Sequence, residues 1–274
     1  MNRPTASTDL TPANVLREER PQPGLLRLTL SNPPANALSE AMLDKLLAAI
    51  DAATKDDSIR VVVIAAEGKL FSGGHDLKEM SAHRSDADKG RAYFEEMFGR
   101  AAKLMQAILA LPKPVVAEVA GVATAGGCQL VASCDIVVAA DSARFGANGI
   151  DLGLFCSTPM VALSRNVSSK TALDMLMTGE MISAERAREA GLVSRVVPAA
   201  EIRAEVDKVA ERLLARPPAV LALGKKAFAE QLRLPIADAY RLATATIAGN
   251  MLMEEAEEGI GAFFDKRRPN WPRA

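Results

Sequence analysis

Two hydrophobic periods alternate along this chain. Leu25 to Leu30 (LLRLTL) is a short β-type run closed by the turn-rich stretch SNPPANAL. Ser39 then stands in the capping position of a helix. Behind it Leu43, Leu46, Leu47 and Ile50 recur at the spacing that lines one helical face, and Asp56 and Asp57 close the segment. The next run, Arg60 to Ala66 (RVVVIAA), is almost wholly apolar, which suits a strand buried on both faces of a helix-covered sheet.

The same order repeats. A helix over about Ala92 to Leu109 precedes the LPKP break and a strand at Val115 to Val119. A small-residue turn from Gly121 to Gly127 leads into a short helix through Cys128 to Ser133 and a strand at Ile136 to Ala140. Thr158 and Pro159 read as the cap and first turn of another helix, and Ser183 with Gly191 bracket one more. Beyond Pro198 the strand signals stop. Helical periodicity runs from Ile202 to Leu214, resumes after Arg216-Pro217-Pro218, and continues from about Ile236 to Ala256. The expected organisation is a polar tail over residues 1–14, an α/β layered core over 15–200 and a helical region over 201–274. No repeat of 20 to 50 residues is visible.

Composition narrows the function more than the fold. Apolar residues make up 49% and charged residues 24% of the chain, as in an ordinary folded protein. The 33 basic and 34 acidic residues are interspersed, so no basic surface for nucleic acid is implied. Cys128, Cys134 and Cys156 lack CxxC spacing, and only His75 and His83 accompany them, which gives no zinc pattern. Unpaired cysteines and the absence of a long apolar run lead to the expectation of a cytoplasmic protein without a membrane span.

Two glycine clusters follow strand signals: Phe71-Ser72-Gly73-Gly74-His75-Asp76 and Ala125-Gly126-Gly127-Cys128. Neither fits GxGxxG or GxxxxGK[ST], so nucleotide-cradle motifs are not supported. Each pair alone reads as a tight turn. Glycine also lets a ligand approach bare backbone amides, and a helix starting at Gly126 or Gly127 adds unpaired N–H groups at its positive end. Together the clusters have the makings of an oxyanion site.

Several ordered stretches carry a resemblance: NPPANAL, FSGGHDLKEM, AGGCQLVASCDIVVA, Phe145-Gly146 followed by DLGL, MTGEMISAERAREAGLVSRVVP and EGIGAFFDKRRP. Together, over about Leu25 to Trp271, they resemble the enoyl-CoA hydratase/isomerase (crotonase) family. Within it, ATAGGCQLVASCDI and GLFCSTP are most similar to the enoyl-CoA hydratase domain-containing protein 3 group. The resemblance implies an α/β spiral of ββα units and a C-terminal helical region that assembles trimers, often paired into hexamers. It also implies an acyl-CoA thioester ligand in fatty-acid metabolism, with coenzyme A as part of that ligand and no permanently bound cofactor.

By position, the backbone amides of Gly73 and Gly126 match the family's oxyanion hole. The two glutamates of the family's hydratases match Gln129 and Gly149, so both carboxylates are missing. A glutamine amide orients water but exchanges no proton near neutral pH, and glycine has no side chain. Asp151 and Cys156 are the substitute candidates, with a capping aspartate and a buried structural cysteine as their plain readings. His75, Asp76 and Leu77 fall in the oxyanion loop as candidate CoA contacts. Phe263 and Lys266 match residues placed near the CoA adenine and phosphates, on a neighbouring subunit; the plain reading is a helix C-terminus with favourable basic residues. The expected function is an acyl-CoA-binding lyase or isomerase with weak hydratase chemistry. Alternatives are a non-catalytic acyl-CoA-binding or regulatory protein and a purely structural oligomer.

Overall fold

The computed structural model describes residues 15–271, so the tail expected over 1–14 lies outside the described residues. Strand β1 (Leu16–Gln22) forms an antiparallel hairpin with β2 (Gly24–Leu30), which is followed by helix α1 (Glu40–Lys55). Three turns of a spiral follow, and each places one strand in each of two sheets. The first contains β3 (Ile59–Ala66), β4 (Leu70–Ser72), α2 (Leu77–Ala82) and α3 (Arg91–Ala110). The second contains β5 (Val115–Val119), β6 (Val122–Thr124) and α4 (Gly126–Ala132). The third begins with β7 (Ile136–Ala140) and β8 (Arg144–Gly146), then passes through α5 (Ser157–Leu163) and α6 (Ser169–Thr178). Strand β9 (Ile182–Ser183), α7 (Ala184–Ala190) and β10 (Arg195–Val197) complete the sheets.

The larger sheet has the order β1-β2-β3-β5-β7-β10 and is parallel after its first hairpin; the smaller has the order β4-β6-β8-β9. This is the expected spiral of ββα units. Alternation along β3 explains how one strand serves two layers: Val62 and Ile64 enter the main core, whereas Val61 and Val63 join Leu25, Val116 and Val138 on the opposite face. That second face is covered by Ile202, Val206, Val209 and Ala210 of helix α8 (Ile202–Leu214). The layered packing therefore extends past residue 200, where the sequence pattern changes. Helices α9 (Pro218–Gln231), α10 (Ile236–Met251) and α11 (Glu254–Phe264) follow.

Local chemistry accounts for several element ends. The Ser39 hydroxyl accepts from Met42 N–H at 3.2 Å, and Ser183 caps α7, whose C-terminus passes into Gly191 at φ 93°. Half-buried lysines cap helix ends from a distance. Lys113 Nζ donates to Ala53 O and Asp56 O after α1, and Lys225 Nζ donates to Ile108 O at the end of α3 while pairing with Asp135 at 2.7 Å. Arg27 of β2 and Glu118 of β5 form a buried two-point pair at 2.8 and 2.7 Å that reaches across the intervening strand β3.

Two expectations shift. Helix α5 begins at Ser157 with Cys156 as its cap residue, so Thr158 lies inside the first turn. The apolar stretch expected from Ile236 to Ala256 is two helices, broken at Leu252 and Met253.

Candidate functional site

A cavity of about 340 Å³ opens where α4 and the loop after β4 face the turn Asn148–Leu152 and the start of α5. Gly73, His75 and Leu77 border it from the first loop, Gly126 from α4, and Gly149 and Cys156 from the third turn of the spiral. Residues far apart in the chain thus converge on one volume.

The loop after β4 meets α4 almost backbone to backbone. A Cβ on Gly74, where φ is 88°, would lie 3.0 Å from the Gly126 nitrogen, and a Cβ on Gly127 would lie 2.3 Å from the Ser72 carbonyl oxygen. Only glycine fits such an approach without displacing backbone. Ala125, at φ 48° and ψ −120°, makes the sharp entry into α4. Its N–H is held by Gly146 O at 3.0 Å.

The two oxyanion candidates from sequence differ in one decisive respect. Gly126 opens α4, and its N–H has no hydrogen-bond partner among the described residues, as expected for a first-turn amide. The Gly73 N–H is already used: it donates to Ala35 O at 2.8 Å. Gly73 is therefore corrected from donor to cavity wall. The next amides divide similarly, since Gly74 N–H donates to Ser72 Oγ at 3.2 Å, whereas His75 N–H has no acceptor among the described residues. His75 stands beside Gly126 together with Gly74: its Cδ2 and the Gly74 Cα each lie 3.4 Å from the position of a Gly126 Cβ. Of the amides facing each other at this junction, those of His75 and Gly126 have no acceptor among the described residues, and the Gly127 amide behind Gly126 has none either.

Side chains of the same loop separate into two roles. Asp76 is the cap of α2, accepting from Lys78 N–H at 2.8 Å and Glu79 N–H at 3.3 Å, and it does not line the cavity. Leu77 borders the cavity and is half exposed. The His75 imidazole packs edge-on against Phe98 at 4.9 Å, and neither ring nitrogen has a hydrogen-bond partner among the described residues. Burial pushes its pKa down from 6.5 to about 4, with the Leu38 backbone pulling weakly the other way. The imidazole is neutral at pH 7.

That shift has a consequence for stability. Between pH 6.5 and about 4, the unfolded chain binds a proton at this histidine that the folded protein refuses. Stability is therefore retained above about pH 6.5 and lost as pH falls toward 4, by roughly 3 kcal/mol from this group. Urea melts across that range should show a steeper acid loss for the parent than for His75→Phe. Parallel curves would contradict the burial argument.

Gln129 lies in the first turns of α4 with only 4% of its surface exposed, and its Oε1 has no partner among the described residues. It does not border the cavity. Gly149 does, but no space for a side chain exists there: a Cβ would lie 2.7 Å from Leu154 O and 2.8 Å from Cys156 Sγ. Leu154 N–H also donates to Gly149 O at 3.0 Å, which ties the loop across this position. Cys156 is buried, and burial raises its thiol pKa despite a hydrogen bond with the Gly149 backbone. It stands as a neutral thiol rather than a nucleophilic thiolate. Asp151 is exposed and turns away: its carboxylate oxygens come within 3.1 and 3.4 Å of where a Cβ on Gly179 would stand, and it does not line the cavity. Phe263 and Lys266 likewise lie outside this chain's cavity lining, and Phe263 is 78% exposed.

The sequence reading missed Asn148 and Phe98. Both line the cavity, and no local pattern marks either one. Among the described residues no group of three or more His, Cys, Asp or Glu could hold a metal ion, and no helix is long and apolar enough to cross a membrane.

Comparison with known proteins places this geometry. The enoyl-CoA hydratase/isomerase family model matches residues 20–274. The chain is 46% identical to a Xenopus laevis protein named enoyl-CoA hydratase domain-containing protein 3, mitochondrial, over 95% of this chain and 86% of that one. The human protein of the same name is 44% identical, covering 93% and 85%. A crystal structure titled enoyl-CoA hydratase from Mycobacterium smegmatis superposes with a TM-score of 0.89 at 48% identity, covering 94% and 98% of the two chains. That of the human domain-containing protein 3 also gives 0.89, at 43% identity and 94% and 100% coverage. These similarities bear out the resemblance read from the motifs. They overturn the cytoplasmic expectation, because the vertebrate relatives carry a mitochondrial designation in their names. Unpaired cysteines exclude only oxidising compartments, so they never discriminated between the two.

Proposed function

Because the chain belongs to the enoyl-CoA hydratase/isomerase family, we propose that its cavity binds an acyl-CoA thioester and polarises the carbonyl between two backbone amides, those of His75 and Gly126. The observation that carries this reading is the pair of unpaired N–H groups brought together at the junction of the first loop and α4. Buried backbone donors are nearly always paired, so two free ones bordering a cavity mark an acceptor's place. A thioester oxygen there gains negative charge as an enolate-like state forms. Fixed donors in a site shielded from water lower that barrier by roughly 3 to 4 kcal/mol each. Leu77, Met80, Phe98 and Leu154 supply apolar surface for the acyl chain.

The chemistry beyond polarisation is restricted. Neither Gln129 nor Gly149 can move a proton, and Asp151 faces elsewhere. Lyase or isomerase activity on an acyl-CoA is therefore expected to be slow for ordinary hydration. A second reading, a non-catalytic acyl-CoA-binding protein, is favoured by the Leu154 carbonyl crowding the point where any side chain at Gly149 would begin. Calorimetric titration with crotonyl-CoA, paired with turnover assays over several acyl-CoAs, distinguishes them. Binding with turnover of any thioester supports the enzyme, binding alone the second reading, and failure to bind any thioester rejects both.

Self-association belongs to the same proposal. Phe228, Ile236, Tyr240, Ile247 and Leu252 on and beside α9 and α10 expose large apolar side chains, as does Phe263 on α11. Covering them in a trimer or dimer of trimers removes that surface from water. In such an assembly Phe263 and Lys266 of one subunit would contact the CoA bound to another. Light scattering at micromolar concentration should report an oligomer, and a monomer would reject this part of the proposal.

A further inference from the structure

A second cavity, of about 430 Å³, lies at the N-terminal ends of β3 and β5 and shares no lining residue with the first. Trp271 forms one wall. Its Nε1 donates to Ala215 O at 2.8 Å, and a Cβ on Gly259 would stand 3.2 Å from its ring, so the indole is held from two sides. Ile59, Pro112, Leu213, Leu221 and Ala222 extend the apolar lining.

Two cations border this volume without a counter-ion. Arg60 donates from Nη2 to Arg216 O at 2.6 Å, whereas its Nη1 has no partner among the described residues and is not sealed from solvent. Lys113 Nζ spends two of its three N–H groups on Ala53 O and Asp56 O. Both charges therefore meet only carbonyl dipoles. The Asp56 carboxylate is taken by Arg20 at 2.6 Å. Asp57 borders the cavity, but it is exposed and bonded to neither cation. Burial lowers the Lys113 pKa, with Asp57 and Asp56 pulling the other way. Helix α9 starts at the same wall, where Pro217 supplies no side-chain cap and the Ala219 and Val220 amides have no acceptor among the described residues.

Each feature restricts the occupant. Two unpaired cations beside an uncapped helix start favour negative charge, while Asp57 opposes a multiply charged group, so the balance suits a single anionic charge. The apolar lining calls for a hydrocarbon body, which an inorganic anion lacks. We propose that this second cavity binds small amphipathic monocarboxylates, with the carboxylate at Arg60 and the hydrocarbon body against Trp271. The site is separate from the one assigned to thioesters and does not depend on that reading.

Trp271 is the only tryptophan of the chain, so its fluorescence reports from this cavity. The test is a fluorescence titration of the intact protein with hexanoate, phenylacetate, hexan-1-ol and hexylamine. At least one of the two carboxylates should give a saturable change, and their order tells an aliphatic acid from an aromatic one. Hexanol should bind about tenfold more weakly than the better carboxylate, and hexylamine more weakly still. Arg60→Gln should weaken carboxylate binding about tenfold, whereas Asp57→Asn should tighten it about two- to fivefold. Opposite signs from two side chains of one wall separate charge recognition from a general loosening of the fold. Arg60 also ties down the Arg216 carbonyl, so if Arg60→Gln does not fold, the Asp57→Asn titration decides alone. Unchanged or weaker carboxylate binding in Asp57→Asn overturns the proposal, as does hexanol binding as tightly as both carboxylates. No saturable change with either carboxylate overturns the site itself, and none of these outcomes bears on thioester binding.

Discussion

Crotonyl-CoA mixed with the protein should bind and stay unhydrated. Hydration requires one group to take a proton from water and a source of a proton for the α carbon, whereas a pair of amides only stabilises the charge that develops between those events. The Gln129 side chain is buried and lies off the cavity wall, and Gly149 offers only backbone. General acid and base groups each contribute roughly 10² to 10⁴-fold, so conversion to the 3-hydroxyacyl product should remain near background. A spectrophotometric hydration assay run beside the calorimetric titration checks both halves. A kcat/KM within the ordinary enzyme range of roughly 10⁴ to 10⁸ M⁻¹s⁻¹ would mean that another residue supplies the chemistry. Cys156→Ala would then be the first variant to make, since Cys156 borders the cavity and Asp151 does not.

Restoring the glutamates should fail at one position in particular. Gly149→Glu places a Cβ against the Leu154 carbonyl oxygen, a backbone atom that cannot rotate aside, and against the Cys156 sulfur. The Leu154–Cys156 loop must move, at the cost of the Leu154 N–H to Gly149 O bond. Overpacking of this kind costs about 1 to 3 kcal/mol. The single variant should therefore unfold at lower urea than the parent and gain no hydratase activity. Gln129→Glu is nearly isosteric and should give the larger gain in hydration of the two single changes. Adding Gly149→Glu to it should bring no further gain unless the loop is also redesigned. A double variant that hydrates far faster than Gln129→Glu alone would show that the loop yields more readily than its contacts indicate.

The legible parts of the chain were those where one strong periodicity decided the structure. Val115 to Val119, Ile136 to Ala140 and Ile202 to Leu214 form the expected strands and helix at the expected bounds. Strand β1 was not visible because LREERPQ is exposed and charged along an edge, where backbone pairing with β2 rather than side-chain burial holds it. The three-residue strands β4, β6 and β8 are too short for any period to register, yet they build the second sheet and carry the loops of the site.

At the site, motif position indicated the right loops but not the right atom. Gly73 and His75 are two residues apart, and only the Ala35 contact shows which amide is spent. That contact joins the β4 loop to the segment before α1, a long-range pairing that local sequence spacing does not encode. The same holds for Gly149, whose lack of room depends on Leu154 and Cys156 folding back over it.

The polarised carbonyl itself can be observed. Isotope-edited infrared spectroscopy of crotonyl-CoA labelled at the thioester carbonyl reports the strength of hydrogen bonding to that oxygen. With the oxygen held between the His75 and Gly126 amides, the carbonyl band should move to lower frequency on binding than it shows in water. A bound ligand whose carbonyl band stays at its aqueous position would contradict a two-amide oxyanion hole.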